Sequence, residues 1–312
     1  MTEFGFISSI AKAFAALPSN GFEGIGDDCA VYPIGGGESL LFTADMLNEG
    51  VHFLRHAASP AEIGAKSLMV NLSDVAAMGG RPVATLLSLA LPADADEAWT
   101  AEFMRGYREV SARFGVALVG GDTTRSQSGV VVNVTAIGRA ADSHIKRRRD
   151  ARAGDVVVVG DVLGESAEGL HDILAGRLAT RAAHTHRNPQ AQIREGEWLG
   201  EQACVHAMMD ISDGVASDLV HILKASALGA EVETTQVPAA TTLDDALCGG
   251  EDYKLLFTVA PDAAADLRAR FKERFGYTIY PIGRITADHA GSIAWLRSGT
   301  EFHPAWHGFT HF

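Results

Sequence analysis

The sequence contains little of what marks a secreted, zinc-binding or membrane-spanning protein. Among 312 residues there are only three cysteines, Cys29, Cys204 and Cys248, and their spacing fits neither a disulfide framework nor a zinc site. No uninterrupted apolar run reaches the ~20 residues needed to cross a bilayer. The apolar stretch 6–17 is short, carries Lys12 and lacks a basic leader, so we do not expect a signal peptide. These absences predict packing roles for the cysteines, a reducing cytoplasm and no membrane role.

Positive charge is also scarce. Lys and Arg total 26 against 39 Asp and Glu, which gives a formal net charge of -13. Nucleic acids and anionic membranes need a basic face, so we expect neither as a partner. An acidic protein can still bind a nucleotide when metal ions lie between the two. At this length, 47% hydrophobic residues suffice for the cores of two domains.

Several catalytic motifs are missing as well. The chain has no Gly-x-x-x-x-Gly-Lys-Ser/Thr loop, no Gly-x-Gly-x-x-Gly at a strand-to-helix junction and no Gly-x-Ser-x-Gly elbow. His184 and His186 lack the helical spacing of a metal pair, and a polar loop is the simpler interpretation. Metal-mediated phosphate chemistry therefore remains as the main class of reaction to consider.

What the chain does contain is six short motifs, rich in glycine or hydroxyl residues, that carry carboxylates. They are Gly26-Asp27-Asp28, Thr43-Ala44-Asp45, Asn71-Leu72-Ser73-Asp74, Gly120-Gly121-Asp122, Asp210-Ile211-Ser212-Asp213-Gly214 and Gly249-Gly250-Glu251-Asp252. We predict that they are turns at the ends of apolar elements and that they open into one cleft. Converging carboxylates cannot all stay ionised without cations, so the pattern predicts Mg²⁺ and an anionic ligand held through it.

The first half predicts an α/β domain. A helix should begin at Ser8 or Ser9 and end at Pro18. The capping box at residues 59–62 predicts a helix that continues to Gly79-Gly80. A further helix is expected over 94–114, a buried strand over 116–119 that delivers Gly120-Gly121-Asp122 at its end, and another strand over 130–137.

The second half also reads as α/β. We place the domain boundary between residues 145 and 146, in a basic run whose simplest interpretation is a solvated linker, which gives domains 1–145 and 146–312. The later elements are predicted as strands over 155–160, 254–259 and 278–282, helices over 165–178, 215–223 and 261–275, and a loop over 181–192.

Ser67, Asn71 and Asp74 form a polar stripe on the otherwise apolar helix that follows Pro60. A stripe of this kind either lines a site or faces solvent. The apolar character of the remaining positions favours the site.

Together with Gly24-Ile25-Gly26, the segment 45–53 and the C-terminal Gly308-Phe309-Thr310-His311-Phe312, the six motifs resemble the thiamine-monophosphate kinase family. The resemblance runs from the first residues to the last. It implies the two-domain aminoimidazole-ribonucleotide-synthetase-like fold, with a dimerising N-terminal domain that binds ATP and Mg²⁺ and a C-terminal α/β domain that completes the cleft. It also implies transfer of the γ-phosphoryl group of ATP to thiamine monophosphate, in a homodimer.

The resemblance also assigns roles to individual residues. The implied ligands of several Mg²⁺ ions are Asp28, Thr43, Asp45, Asp74, Asp122, Asp210 and Asp213, of which Asp74, Asp122, Asp210 and Asp213 serve catalysis. The implied ATP contacts are Gly121, Asp122, Arg148 and Ser212. The implied contacts of thiamine monophosphate are His52, Glu251 and Trp306, although Trp306 could equally be a packing aromatic and a neighbouring arginine could replace Arg148.

Two positions depart from the family pattern, Ala44 where a hydroxyl is common and Gln192 where a basic residue is common. Neither belongs to the carboxylate set, so we expect activity to survive. Two alternatives stay open: another ATP-dependent synthetase of the same superfamily, and a non-catalytic protein that binds Mg-nucleotide.

Overall fold

In a computed structural model that describes residues 3–308, the chain forms two mixed sheets flanked by helices. The first part contains α1 (Glu3–Phe14), β1 (Ala30–Gly35), β2 (Glu38–Asn48), α2 (Pro60–Ala77), β3 (Arg81–Leu91), α3 (Glu97–Phe114), β4 (Ala117–Arg125) and β5 (Val131–Ala141). The second contains β6 (Val156–Val159), α4 (Glu165–Leu174), α5 (Arg181–Arg187), α6 (Ile193–Gly200), β7 (Val205–Asp210), α7 (Val215–Ser226), β8 (Gly229–Glu233), α8 (Leu243–Cys248), β9 (Leu255–Val259), α9 (Ala264–Phe275), β10 (Tyr280–Thr286), β11 (Ile293–Arg297) and β12 (Thr300–Phe302).

The first sheet has the strand order β1-β2-β5-β3-β4, in which only β3 and β4 run parallel. Helices α2 and α3 cover one of its faces, and the core between them includes Leu68, Leu72, Phe103, Val132 and Val134. The inward residues of β5 alternate with partly exposed ones, as expected for a strand with one covered face.

The second sheet has the strand order β12-β11-β8-β10-β6-β9-β7. Its central strands β6 and β9 are almost wholly buried, which explains their uninterrupted apolar sequences. One core, around Leu219 and Ile222 of α7, covers one side, and another, around Trp198 and Phe271, covers the other. Within the described part of the chain, no helix is both long enough and apolar enough to span a bilayer.

Helix α2 joins the two halves. It packs on β2 and β5 of the first sheet and also contacts α6 and β7 of the second half. A Cβ atom on Gly196 of α6 would lie only 2.4 Å from the carbonyl oxygen of Ala76, so glycine is required for this approach. The residues of α2 therefore reach structural elements of both halves.

Most of the expected elements are present, but several details were wrong. Helix α1 begins at Glu3 rather than at Ser8 or Ser9, and the Ser9 hydroxyl donates to the Phe6 carbonyl inside it. The segment 181–192, expected to be a loop, contains α5, which is capped by Thr180. Strand β4 is exposed along its whole length and continues through Gly120-Gly121-Asp122 to Arg125 instead of ending before that motif.

The carboxylate motifs are also not all turns. Thr43 and Asp45 lie inside β2, Asp74 lies inside α2, and Asp122 lies inside β4. Asp28, Asp213 and Glu251 do lie in loops, as expected. Phe309–Phe312, part of the C-terminal resemblance, lie outside the described residues.

The contact between α2 and α3 depends on two glycines. A Cβ atom on Gly64 would lie 2.1 Å from the Phe103 carbonyl oxygen, and one on Gly106 would lie 1.9 Å from the Ala61 carbonyl oxygen. Both distances are far below van der Waals contact with a rigid backbone. The two helices can approach this closely only where neither carries a side chain.

We therefore expect Gly106→Ala to lower the free energy of unfolding by about 1–3 kcal/mol, because the helices must separate. Urea denaturation monitored by circular dichroism measures the change. The matched control is Gly24→Ala, where an added Cβ has no neighbour within 4 Å, and its effect should stay within about 0.5 kcal/mol. Equal stability of the two variants would contradict the proposed close packing.

Candidate functional site

Three carboxylates from separate parts of the chain meet between the two halves. Asp28 comes from the loop before β1, Asp74 from α2 and Asp210 from the end of β7, and one oxygen of each lies within 4.8 Å of the other two. The hydroxyl of Thr43, on β2, donates to Asp74 Oδ2 at 2.6 Å. The Ser73 hydroxyl donates to Asp210 Oδ2, which links α2 directly to the second sheet. We call Asp28, Asp74 and Asp210 the acid cluster.

Two further predicted ligands border the acid cluster. Asp45 lies on β2, where its backbone amide donates to the side-chain oxygen of Asn71 at 2.9 Å. Asp213 lies near enough to Asp45 for its negative charge to raise the pKa of Asp45. Asn71 and Ser67 are fully buried, so the polar stripe of α2 faces the first sheet and the site rather than solvent.

The repulsion among these acids appears in their protonation. Burial, together with the charges of Asp28 and Asp213, raises the pKa of Asp45 to about 6. Burial and the charge of Asp28 raise the pKa of Asp210 to about 8. Burial and the charges of Asp45 and Asp210 raise the pKa of Asp74 well above its ordinary value. Without a cation, the protein therefore holds protons here that a solvated carboxyl would lose.

The donor set fits a hard divalent cation such as Mg²⁺. It consists of carboxylate and hydroxyl oxygens, the ligands this ion prefers. Asp28 Oδ2 is buried and has no hydrogen-bond partner, which leaves one lone-pair direction unsatisfied inside the cluster. Residues Asp28, Thr43, Asp45, Asp74, Asp210 and Asp213 are those that would hold such ions.

Arg148 lies beside the acid cluster rather than in a solvated linker. Its Nη2 is 2.8 Å from Asp28 Oδ1, and its backbone amide donates to Asp27 Oδ1. Its side chain is only 18% exposed, whereas that of Arg149 is 56% exposed. The interpretation of the basic run as solvated was therefore wrong for Arg148, which is the arginine that adjoins the acids.

A cavity of about 350 Å³ lies next to these acids and is lined by both halves of the chain. Asp213 and Ser212 lie on its wall, and its apolar lining includes Phe53, Ile63 and Ile173. His52 and Glu251, two of the residues predicted for the substrate, also line it. The cavity therefore combines a mostly apolar body, which suits a small organic ligand, with an acidic wall that a phosphate group could approach only through cations.

Sequence reasoning missed three buried polar residues around this cavity. Lys66 of α2 and His186 of α5 each contact the Glu251 carboxylate, at 2.9 and 3.2 Å. Burial alone would raise the pKa of Glu251, but Lys66 and His186 hold it below its usual value. Asp218 accepts from the backbone amides of Asp213 and Gly214 and so shapes that turn. A lysine or an acid inside an apolar helical pattern was the signal that could have revealed Lys66 and Asp218.

Asp122 and Gly121 are not brought to the acid cluster of the same chain. Asp122 pairs in register with Ser88, whereas Asp45 lies in register with Leu87 and Gly121. Successive residues of a strand point to opposite faces, so Asp122 lies on the face opposite Asp45, three strands or roughly 14 Å away. A Cβ atom on Gly121 would lie 1.8 Å from the Leu87 carbonyl oxygen, so the close packing of β4 against β3 requires glycine at this position.

Trp306 is also outside the cavity. Its ring packs edge-on against Trp295 and Phe302, and its indole nitrogen donates to Asp244 Oδ1 at 2.7 Å. It borders a smaller concavity beside α7, together with His221 and other residues. The arrangement favours the packing alternative for Trp306.

The two departures from the family pattern have separate structural settings. Ala44 is exposed on the face of β2 opposite Asp45. Gln192 is buried, and its amide bonds Gly160, Leu255 and Tyr277 at 2.7–2.9 Å. Gln192 thus connects β6, β9 and the segment before β10, and neither position touches the acid cluster.

Comparison with known proteins agrees with this geometry. Residues 26–140 match the N-terminal domain of AIR synthase related proteins, and residues 152–296 match the C-terminal domain. Thiamine-monophosphate kinase of Escherichia coli strain K12 is 35% identical over 331 residues, covering 99% of this chain and 98% of that protein. The chain belongs to the thiamine-monophosphate kinase family.

Two solved structures agree with this membership across both halves. The thiamine-monophosphate kinase from Stenotrophomonas maltophilia K279a is 35% identical, with a TM-score of 0.76, and the match covers 95% of this chain and 96% of that one. AaThiL complexed with AMPPCP and TMP is 31% identical, with a TM-score of 0.83, and the match covers 100% and 97%. The predicted α/β fold class and family are therefore confirmed.

The acid cluster predicts an unusual pH dependence of stability in metal-free protein. A carboxyl with a raised folded-state pKa binds its proton more tightly when folded, so the free energy of unfolding falls as pH rises between the unfolded and folded pKa values. For Asp210 this interval runs from 3.8 to about 8. In EDTA, we expect stability to fall by up to ~1.4 kcal/mol per pH unit and per group between about pH 6.8 and 8.

Urea denaturation at both pH values measures this slope. Burial lowers the pKa values of His186 and His221 from 6.5 to about 4, so these histidines make the stability increase with pH only between those two values. The measured window lies above that range. Excess Mg²⁺ should raise stability and reduce the slope, because the cation replaces the protons. The variant Asp210→Asn should flatten the slope in EDTA. A slope that neither Mg²⁺ nor this substitution alters would contradict the cluster's electrostatics.

Proposed function

We infer that the chain catalyses ATP-dependent phosphorylation of thiamine monophosphate to thiamine diphosphate. The observation that carries the inference is a cluster of three carboxylates, contributed by both halves, beside a mostly apolar cavity in a chain of this family. The structure of AaThiL, to which this chain is similar, contains AMPPCP, an analogue of ATP, together with TMP. The reaction forms a P–O bond from the acceptor phosphate to the γ-phosphorus and breaks the bond to the ADP leaving group.

The acceptor explains why a general base is not needed. Its nucleophile is an oxygen of a phosphate monoester, whose second pKa near ~6 leaves it mostly ionised at neutral pH. The protein must instead align two anionic phosphates and reduce their mutual repulsion. Carboxylates alone would increase that repulsion, so their role here is to hold cations.

We therefore assign the metal-binding role to Asp28, Thr43, Asp45, Asp74, Asp210 and Asp213. Bound Mg²⁺ would supply charge neutralisation and orientation of the phosphates. Asp218 supports this role by fixing the turn that carries Asp213, and Ser73 by holding Asp210. Arg148 contacts Asp28 and would approach a nucleotide phosphate bound there. Ser212 lines the cavity next to Asp213.

The acceptor is assigned to the cavity lined by His52, Glu251, Phe53 and Tyr253. The apolar walls of the cavity suit the two aromatic rings of thiamine monophosphate, and the phosphate of the acceptor would lie toward Asp213, which lines the same cavity. The role of Trp306 in substrate binding stays a prediction, which its packing against Trp295 does not support. The domain limits 1–145 and 146–312 and a cytoplasmic location likewise remain proposals.

We also propose a homodimer formed through the first sheet. Strand β4 is an edge strand exposed over all nine residues, with Leu118 and Val119 43% and 60% exposed. Met46 and Leu86 are exposed on the sheet face that α2 and α3 leave uncovered. Exposed apolar edges promote pairing with another chain. If a second copy covered this surface, Asp122 and Gly121 would lie at the subunit contact and could contribute to the nucleotide site of the partner subunit.

The proposed activity is tested by incubating purified protein with ATP, Mg²⁺ and thiamine monophosphate and measuring thiamine diphosphate by chromatography. We expect product, and we expect Asp74→Asn and Asp213→Asn each to lower kcat at least about 100-fold, or roughly 2.7 kcal/mol. Asp266→Asn, at an exposed acid of α9, is the control and should retain full activity. Nucleotide binding without product would instead support the non-catalytic alternative.

The proposed dimer predicts that Val119→Lys produces monomers, because a charge would be buried at the subunit contact. Sedimentation velocity at several protein concentrations measures the change. The matched control is Val162→Lys, at an exposed apolar residue beside the second sheet, which should leave the dimer intact. A monomeric wild-type protein, or a dimer that tolerates the Val119 substitution, would refute this interface.

A further inference from the structure

A lysine buried between the two halves connects the residues of the acceptor cavity. Lys66 lies in the second turn of α2, and the residue is only 2% exposed. Its ammonium group is 2.9 Å from Glu251 Oε1 and donates to the carbonyl oxygen of His52 at 3.1 Å. A buried ammonium needs such partners, because an isolated one would be very costly.

The two partners belong to different halves of the chain. His52 lies in a tight turn after β2, where its Nδ1 accepts from the Asn48 amide and Gly50 adopts a positive φ of 85°. Glu251 lies in the loop between α8 and β9. Lys66 therefore links the two loops directly, in addition to the electrostatic interaction between His52 and Glu251 themselves.

Glu251 is held firmly on its other side. Its backbone adopts a φ of 54°, and its amide donates to the Ser212 carbonyl at 2.7 Å. His186 Nε2 is 3.2 Å from Glu251 Oε2, and His186 Nδ1 is 3.1 Å from the Ser166 hydroxyl. The neutral tautomer with hydrogen on Nε2 satisfies both contacts. The carboxylate thus has a donor on each oxygen, and its position is coupled to Ser212.

These contacts define what Lys66 can do. Its charge is matched by one carboxylate, and two of its three N–H groups point at protein oxygens, so its shown interactions are with the protein. A neighbouring pair, Arg187 with Glu62, is balanced in the same way at 3.1 Å. The body of the cavity is therefore close to electrically neutral, and geometry rather than net charge must distinguish the acceptor there.

We propose that Lys66 is the positioning residue of the acceptor site, which fixes His52 and Glu251 in one geometry and thereby sets the affinity for thiamine monophosphate. This inference rests on the proposed function. The effect acts through two cavity residues, whereas ATP is assigned to the acid cluster, Arg148 and Ser212. Glu251 bonds Ser212 through its backbone amide, which substitutions of the Lys66 and Glu251 side chains leave in place. Loss of Lys66 should therefore affect the two substrates unequally.

The test is steady-state kinetics of Lys66→Met and of the double variant Lys66→Met/Glu251→Gln. The double variant removes both charges, so it avoids leaving a carboxylate buried opposite a methionine. We expect both variants to raise the KM for thiamine monophosphate at least about 10-fold, equivalent to about 1.4 kcal/mol. The KM for ATP should change less than about 2-fold in both, because the acid cluster is untouched.

The control is Lys146→Met, which removes another buried ammonium group, one that donates to the Gln202 carbonyl away from the cavity. This control shows how a general loss of stability changes both KM values, and we expect Lys146→Met to leave the ratio of the two KM values unchanged. Thermal unfolding identifies folded samples. If Lys66→Met does not fold, the double variant is compared with Glu251→Gln alone, because Glu251 itself lines the acceptor cavity. The double variant should then have the higher KM for thiamine monophosphate of the two.

A folded double variant with a wild-type KM for thiamine monophosphate would overturn the role of Lys66, as would an equal rise in both KM values. Neither result would affect the proposed function, which the wild-type assay decides. Wild-type protein that forms no thiamine diphosphate would remove the function itself and, with it, the basis of this inference.

Discussion

The structure depends on bringing like charges together in a place that water does not screen. Asp28, Asp74 and Asp210 come from a loop, a helix and a strand end, and their oxygens approach within 4.8 Å. Such an arrangement is unfavourable unless protons or cations compensate it. The surrounding contacts hold the acids in position despite their repulsion: Thr43 bonds Asp74, Ser73 bonds Asp210 and Arg148 pairs with Asp28. Binding of a cation relieves the same repulsion, so ligand affinity and stability share one source.

The sequence predicted the structure correctly where a residue type is compatible with few structural positions. The capping box at Ser59 and Glu62 located the start of α2, and the motifs with repeated acids identified every member of the acid cluster. Helix ends were predictable where a local signal exists, as with the left-handed Gly115 that ends α3. These features are decided by nearby residues, so they can be read from the chain.

The remaining features depend on tertiary contacts that local patterns do not encode. Asp45 was expected in a turn, but β2 continues through it because this strand pairs with β5 over its whole length. The role of Lys66 could not be predicted because its partner Glu251, at 2.9 Å, lies 185 residues later in the chain. Strand β4 was expected to be buried from its apolar start at Val116–Val119, yet it forms an exposed sheet edge. Helix α5 has only seven residues, too few for a periodic signal.

One helix carries both Lys66 and Asp74. Because each residue of an α-helix rises 1.5 Å, the eight-residue interval separates their backbones by roughly 12 Å along the axis. A continuous helix is stiff over this length, so the distance between Lys66 and Asp74 is fixed by the fold. If Lys66 positions the acceptor and Asp74 holds a cation, as proposed, helix α2 sets the distance between the two sites. The enzyme would then select its acceptor by the length from the ring system to the terminal phosphate.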